Sequence, residues 1–339
     1  MTSLSRFMDI NGYYELLSLK DTQRAIKLLK DYFEGELARE LNLQRVSAPL
    51  FVKESSGLND NLNGSERPVA FDIPSMPSES IEIVHSLAKW KRMALGEYGY
   101  EAGQGLYTDM NAIRRDEELD NTHSIYVDQW DWELIINKED RTEETLKEVV
   151  MRIYAAFRKT EKMITKIFSQ LSTRLPEDIF FVTSQELEDL YPSLSPEDRE
   201  HEAARKHGAV FVMKIGAELR SGKPHGSRAP DYDDWKLNGD IIFYCPTIRG
   251  ALEMSSMGIR VDEAALLHQL KEKCCEDRLS LDFHTRLMAG KLPYTIGGGI
   301  GQSRLCMYFL QKAHIGQVQA SIWDSYTLEE CLKHGITLL

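Results

Sequence analysis

Gly297-Gly298-Gly299-Ile300-Gly301-Gln302-Ser303-Arg304 is the stretch on which the reading of this 339-residue sequence turns. Glycines at 297, 299 and 301 let backbone pack against or under a flat, phosphate-bearing ligand. A helix expected to open here and run through Gln311 offers its N-terminal dipole to an anion. Arg304, about one turn in, supplies a fixed cation for phosphate or for stacking on adenine. The stretch lacks the GK[ST] ending of a P-loop and is not a dinucleotide fingerprint placed after a parallel strand. A plain glycine-rich turn before a helix has the same composition, so the surrounding sequence must decide.

Working outward, the nearest elements read as strands at Ala209–Ile215, Asp240–Cys245 and Leu252–Val261, then helices over about 262–275 and 277–289. Upstream, apolar residues at Ile26, Leu28, Leu29, Phe33, Leu37 and Leu41 predict a helix over about 21–41, followed by a short strand ended by Pro49. A loop at 55–66 precedes a strand at Ile81–Val84 and a helix over about 87–95. Strands follow at Tyr107–Ile113 and Ser124–Ile136. A long helix over about 143–171 carries Leu146, Val149, Val150, Ile153, Ala156 and Phe157 on one face. A strand at Ile179–Val182 leads into a helix with Ser184 as its expected cap, and Ser195-Pro196 to Gly208 is a well-punctuated helix. Hairpin-sized turns between strands, with the long helices grouped apart, predict an α+β fold on an antiparallel sheet. With no internal repeat or low-complexity linker, residues 1–339 read as a single domain, with 1–20 an N-terminal extension of no recognisable role.

The bulk properties narrow the partners. Fifty-three acidic residues against 41 basic ones give a net charge of −12, which disfavours a polyanion such as tRNA or DNA. No run approaches the roughly 20 apolar residues of a membrane span, and the N-terminus shows no signal or transit pattern. Cysteines at 245, 274, 275, 306 and 331 have no zinc spacing and suit a reducing, cytoplasmic setting.

Several clusters carry chemistry. Arg114 ends a strand and is followed by Arg115, Asp116, Glu117 and Glu118, a sequence able to grip an α-phosphate and adenine in turn, or to be a solvated turn. In Tyr126 to Glu133, strand alternation puts Gln129, Asp131 and Glu133 on one face and Tyr126, Asp128, Trp130 and Trp132 on the other. A polar row opposite two tryptophans is costly unless that face is wet or binds something polar. The same alternation groups Glu253, Ser255 and Met257, and Glu253 with Asp240 of a neighbouring strand is able to hold Mg²⁺ against ATP. Lys89 and Lys91 lie about 200° apart on their helix, so one of them at most points into a given site. His85 reads as structural, and the Asn-rich loop around Asp60 reads as a turn.

Taken together, these stretches resemble the ammonia-dependent aspartate–ammonia ligases (asparagine synthetase A), relatives of the class II aminoacyl-tRNA synthetases. The resemblance is carried by NDNLNG at 59–64, VHSLAKWKR at 84–92, GLYTDMNAIR at 105–114, HSIYVDQWDWE at 123–133, RAPDYDDW at 228–235, LNGDI at 237–241, SSMGIRVD at 255–262 and TIGGGIGQSRL at 295–305. It implies a class II synthetase-like antiparallel sheet of six to eight strands flanked by helices, with the 21–41 helix, Val46 and Pro49 at a homodimer interface. It implies that Arg114 and Arg304 hold the α-phosphate of ATP, with Asp116, Glu117, Gly299 and Gly301 also at the nucleotide and Asp240 and Glu253 near Mg²⁺. Aspartate would be held by Ser86, Lys91, Gln129, Asp131, Asp233, Ser255 and Arg260. Asp60 would position ammonia or take its proton. The family's second motif has Arg, one residue, then Glu; here Asp116 takes that place, which passes the adenine role to Glu117. Two other functions suit the same fold: an aminoacyl-tRNA synthetase-like paralogue, disfavoured by the charge and by the lack of residues for an anticodon domain, and a non-catalytic amino-acid sensor, disfavoured by the retention of Arg114 and Arg304.

Overall fold

The computed structural model of the protein describes residues 10, 12–60 and 66–339. Residues 1–9 and 11 of the N-terminal extension and residues 61–65 of the loop lie outside the described residues. In chain order the strands are β1 (Leu43–Arg45), β2 (Phe51–Lys53), β3 (Ala70–Ile73), β4 (Met76–Ile83), β5 (Gly105–Ile113) and β6 (Tyr126–Ile135). They continue with β7 (Phe180–Thr183), β8 (Ala209–Met213), β9 (Asp233–Cys245), β10 (Gly250–Arg260) and β11 (Thr295–Gly301). The helices are α1 (Leu19–Leu41), α2 (Ala88–Glu97), α3 (Glu143–Ile167), α4 (Ser184–Leu190), α5 (Pro196–His207), α6 (Glu263–Glu272), α7 (Asp282–Met288), α8 (Gln302–Phe309) and α9 (Ser325–Lys333).

Eight strands form one sheet in the order β1-β5-β6-β11-β10-β9-β8-β7. The six central strands are antiparallel throughout, while both edge pairs, β1 with β5 and β7 with β8, are parallel. The expected α+β antiparallel sheet is therefore present, with parallel edges that local pattern did not reveal. A small sheet, β2-β4-β3, stands apart; β4 begins five residues before the expected strand and forms a hairpin with β3.

The back of the large sheet is the core. Trp130 and Trp132 of β6 are fully buried there. Phe33 of α1 packs 5.0 Å from Trp130 and 4.9 Å from Phe157 of α3, which in turn meets Phe243 of β9 at 5.1 Å. The six apolar residues named on the long helix are all buried, so its 3.6-residue period did describe the packed face. Each aromatic contact adds about 0.5–1.5 kcal/mol beyond the area it buries.

Three local expectations change. The helix after the glycine stretch stops at Phe309, short of Gln311, and the stretch itself, left open above, is β11, hydrogen-bonded between β10 and β6 at the centre of the sheet. The cap of α4 is Thr183, in a capping box with Glu186, while the Ser184 hydroxyl donates to the carbonyl of Lys214 at 2.7 Å. The segment 277–289 is a 3₁₀ turn followed by the short α7. The α5 punctuation is as expected, with Ser195 capping, Pro196 in the first turn and Gly208 at φ 78°.

Candidate active site

The front face of the sheet forms the floor of a cavity of about 390 Å³. Its central strand contributes almost no side chain, and the neighbouring strands fill the space. A Cβ on Gly299 would lie 2.8 Å from Asp131 Oδ1, and one on Gly297 would lie 2.5 Å from Arg260 Nη2. The glycines thus make room for β6 and β10 side chains to converge over β11.

At that convergence is a buried charge cluster. Lys91 reaches in from α2, with Nζ 2.8 Å from the carbonyl of Gly298, 3.2 Å from Asp131 Oδ2 and 3.9 Å from Glu133 Oε2. Arg260 donates from Nε and Nη2 to Glu133 at 2.9 and 2.7 Å, and from Nη1 to Asp233. Thr295 Oγ1 donates to Glu133 at 2.7 Å. Burial pulls the Lys91 ammonium below its ordinary value, against the attraction of Asp131 and Glu133. Burial alone would raise Glu133, but Arg260 and Lys91 reverse this and hold it below the usual carboxylate range. Asp233 shares only one Arg260 nitrogen and faces the charge of Glu133, and burial leaves it raised. Asp131 Oδ1 is buried with no hydrogen-bond partner among the described residues, leaving an acceptor for a substrate cation. Lys89 points away from this cluster, to Asp231 at 3.3 Å, as the helical angle between the two lysines requires.

Along the cavity, Arg114, Asp116, Glu117, Gly301 and Arg304 line the other end. Arg304 Nη1 donates to the carbonyl of Glu253 at 3.0 Å. The buried Nε of Arg114 has no hydrogen-bond partner among the described residues, and its Nη1 lies 3.9 Å from Glu117. Asp116 is already engaged: the backbone N–H of Arg67 donates to it at 2.9 Å and the Arg67 guanidinium at 3.0 Å, holding it well below the usual carboxylate range. Ser86 and Asp60 line the side nearest Lys91, with Ser86 Oγ donating to Asp60 Oδ2 at 3.1 Å.

Gln129, Asp131, Asp233, Glu253, Arg260 and Gly299 complete the expected residues found on the cavity wall. Two expected residues are not on it. Ser255 is a correction: a bulge between Glu253 and Ser255 shifts the alternation of β10 by one residue. Ser255 pairs with the core residues Ile241 and Ile300, and its buried hydroxyl has no hydrogen-bond partner among the described residues. Ser256 takes its place, paired with Gly299 and lining the cavity. Asp240 sits behind Arg228, which lines the cavity and donates to it. Burial pushes the Asp240 carboxyl up to about 7, with Arg228 opposing and the charge of Glu253 adding. Two neighbouring carboxyl groups, Asp240 buried and Glu253 on the cavity wall, are a donor set suited to a hard divalent cation. Glu133, Arg228, Tyr232 and Ser256 were missed as site residues. Glu133 was legible on the polar face of β6, whereas Arg228 and Tyr232 come from a loop whose fold only long-range contacts fix.

An antiparallel sheet presenting arginines from a strand end and from the helix after a glycine strand is the class II aminoacyl-tRNA synthetase fold. Solved structures bear this out. The asparaginyl-tRNA synthetase of Entamoeba histolytica in complex with asparaginyl-adenylate superposes with a TM-score of 0.62 at 13% identity, over 89% of this chain and 66% of that one. The asparaginyl-tRNA synthetase of Pyrococcus horikoshii complexed with asparaginyl-adenylate gives 0.58 at 16% identity, over 90% and 70%. Sequence comparison is more specific. The family model for aspartate-ammonia ligase matches residues 20–335. The aspartate–ammonia ligases of Ruminiclostridium cellulolyticum and Fusobacterium nucleatum are 62% and 61% identical over 328 residues, 97% of this chain and 98% and 100% of theirs. The chain belongs to the aspartate–ammonia ligase family, enzymes that join aspartate and ammonia to form asparagine.

Proposed function

We propose that the cavity makes asparagine in two steps through a β-aspartyl-adenylate. A β-carboxylate oxygen of aspartate attacks the α-phosphorus of ATP, and the bond to pyrophosphate breaks. Ammonia then attacks the β-carbonyl, the bond to AMP breaks, and the ammonia proton passes to a base. The observation that carries this reading is one continuous cavity with a charge cluster at one end and Arg114 and Arg304 at the other.

Lys91, Gln129, Asp131, Asp233 and Arg260 hold aspartate, cations meeting carboxylates and the open Asp131 Oδ1 meeting the ammonium. Ser86 and, in place of Ser255, Ser256 add hydroxyl contacts. Arg114 and Arg304 place positive charge on the phosphate as negative charge builds in transfer, the main protein contribution to such chemistry. Glu117 reads adenine, since Asp116 is tied to Arg67. Asp240 and Glu253 would hold Mg²⁺, which when bound neutralises phosphate charge. Asp60, joined to Ser86 beside Lys91, positions ammonia and accepts its proton. The enzyme works as a homodimer through α1 and the edge strand β1, the segment similar to the first class II motif.

Incubation with aspartate, MgATP and ammonium is expected to yield AMP, pyrophosphate and asparagine in equal amounts; ADP would sink the adenylate route, and dependence on tRNA would favour a synthetase. Asp60→Asn is expected to keep aspartate-dependent pyrophosphate exchange while losing amide formation. Equal loss of both would remove Asp60 from the ammonia step.

A further inference from the structure

Asp128 is a carboxylate on the tryptophan side of β6. Only 6% of it is exposed; it reaches the cavity wall together with Ser303 and Gln319, and the mechanism above gives it no task. A buried charge in such a place must be matched by partners. Its partners are specific. Oδ1 accepts the backbone N–H of Ser303 at 3.0 Å and the amide of Gln319 at 3.3 Å, and Oδ2 accepts Lys30 Nζ from α1 at 2.9 Å.

Ser303 lies in the first turn of α8, where helical N–H groups have no partner within the helix. The residue before the helix, Gly301, has no side chain to cap it, and no local cap is made. Asp128 therefore supplies from another strand the cap that the local sequence lacks, and its charge suits the N-terminal end of the helix dipole. Arg304 is the next residue. Its stem runs beside Gly301, where a Cβ would lie 3.3 Å from Arg304 Cβ and 3.5 Å from Cδ, and its guanidinium reaches the Glu253 carbonyl at 3.0 Å. The start of α8 is the pivot of that side chain, so a small shift there is carried to the guanidinium.

We infer that Asp128 is a positioning residue: it caps the helix that carries Arg304 and thereby aims this arginine at the nucleotide phosphate, with Lys30 balancing its charge. The inference rests on the proposed phosphate role of Arg304. It also links α1 to the nucleotide end of the cavity through one ion pair.

The test is a double-mutant cycle on the full chain, with KM for ATP and for aspartate read from pyrophosphate release. Asp128→Ala is expected to raise KM for ATP about tenfold, the scale of a lost helix cap, and to leave KM for aspartate within about twofold. Arg304→Ala is expected to raise KM for ATP more, and adding Asp128→Ala to it should change little further, because the cap acts through the arginine. A merely structural Asp128 would shift both KM values together, or add its full effect in the Arg304→Ala background, and either result overturns the inference. A normal Arg304→Ala enzyme would overturn the phosphate role and the inference with it; a defective Arg304→Ala beside a normal Asp128→Ala would overturn the inference alone. Asp128→Asn keeps the volume and one acceptor oxygen. It carries the same cycle if thermal melting shows the alanine variant to be unfolded, with a smaller ATP-specific loss that must also vanish without Arg304.

Discussion

Replacing Glu133 by Gln removes one charge from the buried cluster while keeping its shape. The carboxylate is fully buried and accepts from Arg260 at 2.9 and 2.7 Å and from Thr295 at 2.7 Å. A glutamine oxygen replaces one acceptor, but its NH₂ group faces the donors of Arg260 and Lys91. Breaking a buried pair from one side costs about 3–5 kcal/mol. A chain of this size has an unfolding entropy of about 0.7 kcal/mol per kelvin, so Tm is expected to fall by about 4–7 °C. The sign with pH follows from the depressed carboxyl. Its stabilisation is full above the ordinary carboxylate pKa and is lost as pH falls through the lower folded value. The gap between parent and variant, read by calorimetry, should thus be constant from about pH 6 to 8 and close in acid. KM for aspartate should rise as well, because Arg260 and Lys91 lose their shared partner. A Tm within about 1 °C of the parent at neutral pH would refute the account of the cluster.

Three further outcomes follow from the geometry. Gly299→Ala would set a methyl 2.8 Å from Asp131 Oδ1 and is expected to raise KM for aspartate at least about tenfold, a 1.4 kcal/mol effect, in a steady-state assay; unchanged kinetics would mean that β11 leaves the cavity room to spare. Glu117→Ala should raise KM for ATP more than Asp116→Ala, since Arg67 already occupies Asp116; the reverse order would return the adenine role to Asp116. Ser256→Ala should weaken aspartate or ATP binding while Ser255→Ala leaves both KM values unchanged, and a defect confined to Ser255→Ala would refute the register of β10.

What the sequence discloses of this fold depends on whether the determinant is local. The row Gln129, Asp131, Glu133 was legible because a regular strand alternates and two tryptophans mark the other face. The stripe on α3 was legible for the same reason at the helical period. Ser255 misled because a bulge adds one residue to β10, and alternation counted from Glu253 then names the wrong serine. The glycine stretch hid a central strand, since four of the seven residues of β11 are glycine and it takes its shape from β6 and β10. The contacts of Asp116 with Arg67, Asp240 with Arg228 and Asp128 with Ser303 join residues far apart or in different elements, and no local period records them. Composition and alternation led to a polar sheet face beside arginines suited to a phosphate; aspartate and ammonia came from the longer motifs.

The bulge in β10 also bears on how this strand tolerates changes in length. Met254 and Ser255 together occupy the place opposite Ile241 that one residue would fill in a regular ladder. On either side, Leu252, Met257 and Ile259 face the core, while Glu253, Ser256 and Arg260 face the cavity. Removing Ser255 would restore strict alternation and leave every one of these side chains on its present face. Removing a residue elsewhere in the strand would turn one half of it over. The bulge is thus a reserve of one residue, placed where β10 passes between Glu253 and the buried cluster of Arg260, Glu133 and Asp233, and it lets the spacing between those two groups change without exchanging core for cavity.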